Sequence, residues 1–245
     1  MGRHSIAFAN FGDRMGAWGY ELTQSDAALD VVDAAIEIVL EEIEVLVTEA
    51  PSRSGALRLA GCVGCVALLD PGDLDPGSAL VVDAEDFGRS RAGRIRAAVT
   101  RHSRALSKAV PALAPFASEL VAASPPAEPR LKKNGSVTLQ MRTGGIGEEA
   151  AREIAARALA PSGARKVAQQ VLDRVVDETS TDALPDLAGI LHVAVTLHPW
   201  TKTTLVSRKR WRERCVDAVE DGGDFERALA RSCKRALRTL RPRPK

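Results

Sequence analysis

The sequence predicts a mainly α-helical protein, with an N-terminal helical domain and a C-terminal helical domain that also contains two short β-strands. Three observations lead to this fold class. Apolar residues recur at spacings of three and four through most of the chain, which is typical of amphipathic helices. Proline and small residues interrupt that pattern at 122–129. Beyond the interruption, two short segments alternate apolar and polar residues as half-buried strands do.

The proline-rich interruption divides the 245 residues into four segments. Residues 1–14 contain no helical period and no motif, and we expect this extension to be dispensable. Residues 15–123 form the first helical domain and residues 124–134 form a linker. Residues 135–245 form a basic, α-rich domain. The length leaves room for one large core or two small ones.

The N-terminal domain opens with Met15-Gly16-Ala17-Trp18-Gly19, followed by Ser25-Asp26-Ala27-Ala28-Leu29-Asp30. This opening resembles that of a family of small bacterial domains of unknown function, which begin Met-Gly-x-Trp-Gly and continue into Asn/Asp-Asp-x-Ala-x-Asp. Gln24-Ser25 stands where the family has Asn or Asp. The resemblance covers residues 15–123, and it implies a compact, mainly helical domain with no established chemistry.

The clearest helix of this domain is expected over residues 26–49, with Thr23 or Ser25 as its cap. It carries eight carboxylates and no Lys or Arg. Like charges one turn apart destabilise a helix by a few tenths of a kcal/mol, so basic groups are expected nearby. If those groups belong to another protein, the candidate partner-binding residues are Asp26, Asp30, Asp33, Glu37 and Glu41.

A basic helix is expected over residues 90–110. Seven Arg and Lys residues lie between Arg89 and Lys108, with no acidic residue among them. Such a helix either binds nucleic acid by neutralising phosphates or offsets the acidic helix of its own domain. The charges of −8 and +7 nearly cancel, which favours pairing inside the domain.

A further helix is expected over residues 54–69, and it contains the C-x-x-C pair Cys62 and Cys65. This pair could be a redox couple or half of a zinc site. No second Cys pair or His pair accompanies it, so the two cysteines are interpreted as small core residues.

The C-terminal domain is expected to contain helices over residues 148–160 and 163–178 and strands over residues 136–142 and 191–197. On the second strand, His192 and His198 share one face. Two histidines in that arrangement could be metal ligands or a general base, but no carboxylate lies near them in sequence. They are interpreted as exposed strand residues.

The most basic part of the chain is its C-terminal end. Residues 200–245 contain fourteen Lys and Arg residues against six carboxylates, for a net charge of +8. Trp211 lies among arginines, where it could stack on a base or anchor a solvated helix. The candidate nucleic-acid-binding residues are Arg208, Arg210, Trp211, Arg212 and Arg214.

The composition limits the classes of function that we expect for this chain. The overall charge is only +2, the four cysteines show no disulfide framework, and no apolar stretch has membrane-spanning length. We therefore expect a cytoplasmic protein with no membrane association. No residue set predicts catalysis, a metal site or a cofactor. The function expected is a non-enzymatic protein-interaction protein, of the accessory or immunity type, with nucleic-acid association as the alternative.

Overall fold

The computed structural model describes residues 22, 23, 25–74, 89–122, 130, 131, 137, 138, 146–220 and 222–240. These residues form nine α-helices, which are α1 (Asp26–Thr48), α2 (Arg53–Leu69), α3 (Arg91–Ala109), α4 (Ala114–Ala122), α5 (Glu148–Ala158), α6 (Ser162–Glu178), α7 (Leu184–Leu197), α8 (Leu205–Glu220) and α9 (Asp224–Thr239). Short 3-10 turns follow α2 at Pro71–Leu74 and precede α4 at Pro111–Leu113.

The expected fold class is wrong about the strands, because helices make up nearly all of the described part of the chain. The segment 191–197 lies inside α7, which buries residues on every face and so shows no helical period in its sequence. Of the segment 136–142, only Val137 and Thr138 are described. They pair antiparallel with Arg130–Leu131 over only two residues, which is far shorter than the strand expected at 136–142.

Helix α2 lies at the centre of the bundle. Twelve of its seventeen residues are buried, and it packs against α1 and α3 on one side and α5 and α6 on the other. Cys62 and Cys65 are fully buried within it, as expected for core residues. Burial raises the pKa of both thiols, to about 12 for Cys65, so neither thiol is readily deprotonated to a thiolate.

Glycines allow the helices to approach closely. A Cβ atom on Gly61 would lie 2.5 Å from the carbonyl oxygen of Ala164, and one on Gly64 would lie 2.6 Å from Cγ of Leu159. In α7, a Cβ atom on Gly189 would lie 2.6 Å from Cβ of Val31. Each contact joins a helix before the expected linker to a helix, or the end of one, after it.

A single hydrophobic core therefore contains residues from both sides of the expected linker. Residues 124–134 lie outside the described residues apart from 130 and 131, and so does the extension 1–14. Whether 15–123 and 135–245 fold independently stays a prediction. The shared core shows only that the two halves pack together.

Serine side chains begin the first three long helices. The hydroxyl oxygens of Ser25, Ser52 and Ser90 accept hydrogen bonds from the backbone N–H groups three residues later, at 3.1, 3.0 and 3.1 Å. The cap expected at Ser25 is thereby confirmed. Each such cap typically contributes about 1 kcal/mol to stability.

The close contact at Gly61 predicts that Gly61→Ala destabilises the protein. Alanine favours an isolated helix by about 1 kcal/mol over glycine, but here its methyl group would meet a backbone oxygen that cannot move alone. We expect urea denaturation to show a net loss of about 2 kcal/mol in the free energy of unfolding. The control is Gly147→Ala, because no atom lies within 4 Å of that position. Equal stability of both variants would contradict the packing.

Candidate functional site

Helix α3 neutralises part of the acidic face of α1. The guanidinium group of Arg91 lies 3.3 Å from the carboxylate of Asp33 and 3.0 Å from that of Glu37. Arg94 lies 2.6 Å from Glu44. The pairing expected between the acidic helix and the basic helix inside the N-terminal half is therefore present.

Three other arginines also bind to α1. Arg174 of α6 lies 2.6 Å from Glu41, and Arg58 of α2 pairs with both Glu42 and Glu49. Arg101 donates to the carbonyl oxygens of Glu49 and Thr48, which caps the C-terminal end of α1. Side chains of α2, α3 and α6 thus meet the charge of α1 within the fold.

The expected partner-binding residues consequently divide into two groups. Asp33, Glu37 and Glu41 are paired with the arginines described above. Asp26 and Asp30 are exposed in the first two turns of α1, and neither has a cation within ion-pair distance among the described residues. Within the part of the chain that the structure describes, this short part of the acidic face is left without an arginine partner.

Arg91 also contacts a partly buried carboxylate. Its guanidinium group lies 3.6 Å from Asp73, which follows α2 in the 3-10 turn and is close to Asp70. Burial, and then the charge of Asp70, raise the pKa of Asp73 to about 7 despite the arginine. Arg91 is shared with Asp33 and Glu37, so it does not fully compensate Asp73.

The last two helices form an antiparallel hairpin, α8–α9. A guanidinium N–H group of Arg208 donates to the carbonyl oxygen of Leu240 at 3.0 Å, which places the start of α8 beside the end of α9. In the middle of the hairpin, the side chains of Cys215 and Cys233 lie next to each other. A turn near Gly222 and Gly223 closes the other end.

Charge is segregated along this hairpin. The six carboxylates of residues 200–245 all lie between Glu213 and Glu226, around the turn. The opposite end holds seven cations and no carboxylate of its own. We call this set the basic end, and it consists of Arg208, Lys209, Arg210, Arg212, Lys234, Arg235 and Arg238.

Among the described residues, the basic end has one ion pair. Lys209 lies 3.8 Å from Glu213, and its side chain is still 80% exposed. Arg210, Arg212, Arg235 and Arg238 are exposed as well. The candidate nucleic-acid-binding residues predicted from the sequence all lie in α8 and omit the cations of α9. Basic residues at 227, 231, 234, 235 and 238 recur one turn apart opposite a buried apolar face, and that period is the sequence signal for it.

The expected nucleic-acid-binding residues do not form one patch. Trp211 is 1% exposed and belongs to the core, so its ring is not available to stack on a base. Arg210 and Arg212 flank it on opposite sides of α8, at about 100° per residue. Arg214 lies closer to the turn, where its guanidinium group donates to the carbonyl oxygen of Asp182. Arg208 donates to the carbonyl oxygen of Leu240, as described above.

The histidines of the segment 191–197 and its end belong to a helix rather than to a strand face. His192 is half-buried in α7, and burial lowers its pKa. Among the described residues, no group of three or more His, Cys, Asp or Glu side chains is arranged to hold a metal ion.

Comparisons with known proteins add no relative. Searches against protein-family models, curated proteins and solved structures find no match to this chain. The resemblance of residues 15–123 to domains that open Met-Gly-x-Trp-Gly therefore stays a prediction. Within the ranges that the structure describes, no helix combines the length and apolar character needed to span a lipid bilayer.

The carboxyl group of Asp73 predicts that stability depends on pH. The pKa of an unfolded Asp is about 3.9, so the folded state holds this proton more tightly. Its stabilising contribution is full below the unfolded pKa and is lost as pH rises through about 7. As pH rises from about 5 to about 8, wild type should therefore lose more stability than Asp73→Asn, by on the order of 2 kcal/mol.

Urea denaturation across this pH range measures the effect. The matched control is Asp177→Asn, which removes an exposed carboxylate of α6 and should keep the wild-type profile. An Asp73→Asn profile as steep as that of wild type would show that Asp73 is not the titrating group.

Proposed function

We propose that this protein binds nucleic acid through the basic end of the α8–α9 hairpin, by phosphate contacts and without reading sequence. The observation that carries the proposal is the segregation of charge along the hairpin. Seven cations stand together at one end, while every carboxylate of that region lies towards the other. Clustered Lys and Arg side chains bind polyanions by releasing the counterions condensed on phosphates.

The composition of the basic end supports backbone contacts rather than base contacts. With Trp211 in the core, no aromatic ring of α8 or α9 within the basic end is available for stacking. Arg210 and Arg212 lie on opposite sides of α8 instead of projecting from one recognition face. Three more cations, Arg241, Arg243 and Lys245, follow α9 in sequence. We infer modest affinity, a steep dependence on salt and little preference among sequences.

The acidic face of α1 gives weaker support to a protein partner. Its central carboxylates are paired with Arg58, Arg91, Arg94 and Arg174. A basic partner would have to exchange those pairs for intermolecular pairs of the same kind. Exposed pairs contribute only about 0–1 kcal/mol each, so the exchange has little net effect. Docking over the whole acidic face would therefore gain little beyond what the fold already supplies.

A single experiment tests the basic end. Fluorescence anisotropy of a short labelled single-stranded DNA, titrated at several salt concentrations, gives the slope of log K against log salt. The quadruple variant Arg210→Gln, Arg212→Gln, Arg235→Gln and Arg238→Gln should reduce that slope by about 3, at about 0.7 for each neutralised phosphate.

The control for this variant removes the same charge elsewhere. Substituting Gln at Arg152, Arg157, Lys166 and Arg227 takes four cations from α5, α6 and the turn half of α9. This control should keep most of the wild-type slope. If both variants lose affinity equally, net charge rather than the basic end accounts for binding. If wild type does not bind the probe at low salt, the proposal is wrong.

A protein partner remains the second candidate, supported by two carboxylates at the start of α1 that have no ion-pair partner within the described ranges. Asp26 and Asp30 are both exposed and lie one turn apart. A basic protein that binds there should co-purify with the chain after nuclease treatment and be lost from Asp26→Asn, Asp30→Asn. Either function requires no catalysis and no cofactor.

We also propose that the protein acts in the cytoplasm. The support is chemical, because all four cysteines are free thiols and two of them, Cys215 and Cys233, are in contact without being joined. Free thiols in contact are typical of reducing compartments.

A further inference from the structure

A second positive region lies in a cavity far along the sequence from the hairpin. The start of α2 and the last two turns of α3 line an open cavity of about 470 Å³. Ser52 and Arg53 line it from α2, and Arg104 and Lys108 line it from α3, while Pro51 and Ala105 supply apolar wall. Cavities of several hundred Å³ hold small organic ligands in many proteins.

The charges in this cavity are uncompensated. Arg53, Arg104 and Lys108 are exposed, no carboxylate lines the cavity, and none of the three has an ion-pair partner among the described residues. By contrast, Arg58, Arg91, Arg94 and Arg174 each meet a carboxylate of α1. Three cations of this fold are thus left to share one concave space.

The position of Arg53 adds to this excess of positive charge. A helix N-terminus carries a partial positive charge and normally favours acidic side chains in its first turn. The first turn of α2 contains no acidic residue and begins with Arg53. An anion in the cavity would offset both the cations and the helix end.

The same turn of α2 also faces an unsatisfied polar atom. His102 of α3 is fully buried, and its Nε2 atom lies 2.8 Å from the carbonyl oxygen of Leu46. Its Nδ1 atom has no hydrogen-bond partner among the described residues. A Cβ atom on Gly55, in the first turn of α2, would lie 3.5 Å from this nitrogen. This nitrogen packs against the first turn of α2 but does not line the cavity.

We propose that this cavity binds a phosphate monoester. Arg104 and Lys108 contact the phosphate group together with Arg53, and the wall of Pro51 and Ala105 covers part of the organic portion. A monoester occurs in free small molecules and at the 5′ end of a nucleic acid, and both present the same dianionic group. The site is separate from the basic end and does not depend on it.

Isothermal titration calorimetry with adenosine 5′-monophosphate and with adenosine tests the phosphate requirement. We expect the monophosphate to bind and adenosine to give no binding. The double variant Arg104→Gln, Lys108→Gln should weaken binding of the monophosphate at least about tenfold, because each charge-assisted contact contributes more than a neutral one. The matched control, Arg152→Gln, Arg157→Gln, removes two exposed cations of α5 and should keep wild-type affinity.

Oligonucleotides with and without a 5′-phosphate distinguish the two sources of the group. A preference for the phosphorylated oligonucleotide that the double variant loses, without binding of the free monophosphate, would assign the site to nucleic-acid ends. The quadruple variant of the basic end should leave monophosphate binding unchanged, so the two proposals fail separately. Absence of binding by both phosphorylated probes, or unchanged affinity in the double variant, would overturn this assignment.

Discussion

The close packing of α2 against α5 and α6 is the contact on which the rest of the structure depends. Gly61 and Gly64 leave no space for a side chain, so Ala164 and Leu159 lie directly against the backbone of α2. A buried helix with small residues on several faces can accept neighbours on all sides, and α2 packs against α1 and α3 as well. Because these neighbours come from both halves of the chain, removal of the contact would open one shared core.

This arrangement also decides which charges remain available. With α1, α3 and α6 gathered around α2, arginines of three helices reach the carboxylates of α1. A helix that carries eight negative charges in sequence is thereby largely neutralised in the fold. The α8–α9 hairpin packs on α7, and none of its cations pairs with these carboxylates among the described residues. Among the described residues, Arg53, Arg104 and Lys108 are likewise left without carboxylate partners.

Much of the helical structure could be predicted from the sequence. The period of apolar residues located α1, α2, α3, α5 and α6 within about two residues, and the near balance of opposite charges indicated internal pairing. The strand expected at 191–197 was wrong because a helix buried on all sides loses its period, and Leu191, Val193, Val195 and Leu197 happen to alternate. The burial of Trp211 and the meeting of α8 with the end of α9 depend on tertiary packing, which local pattern does not encode.

Internal pairing should leave the basic end as the main free charged surface. Hydrogen exchange measured with and without single-stranded DNA at low salt can test this directly. We expect protection to increase in the first turns of α8 and the last turns of α9, at 205–212 and 232–240, while protection along α1 is unchanged. Increased protection along α1, or no change in either segment of the hairpin under conditions where the DNA is bound, would contradict it.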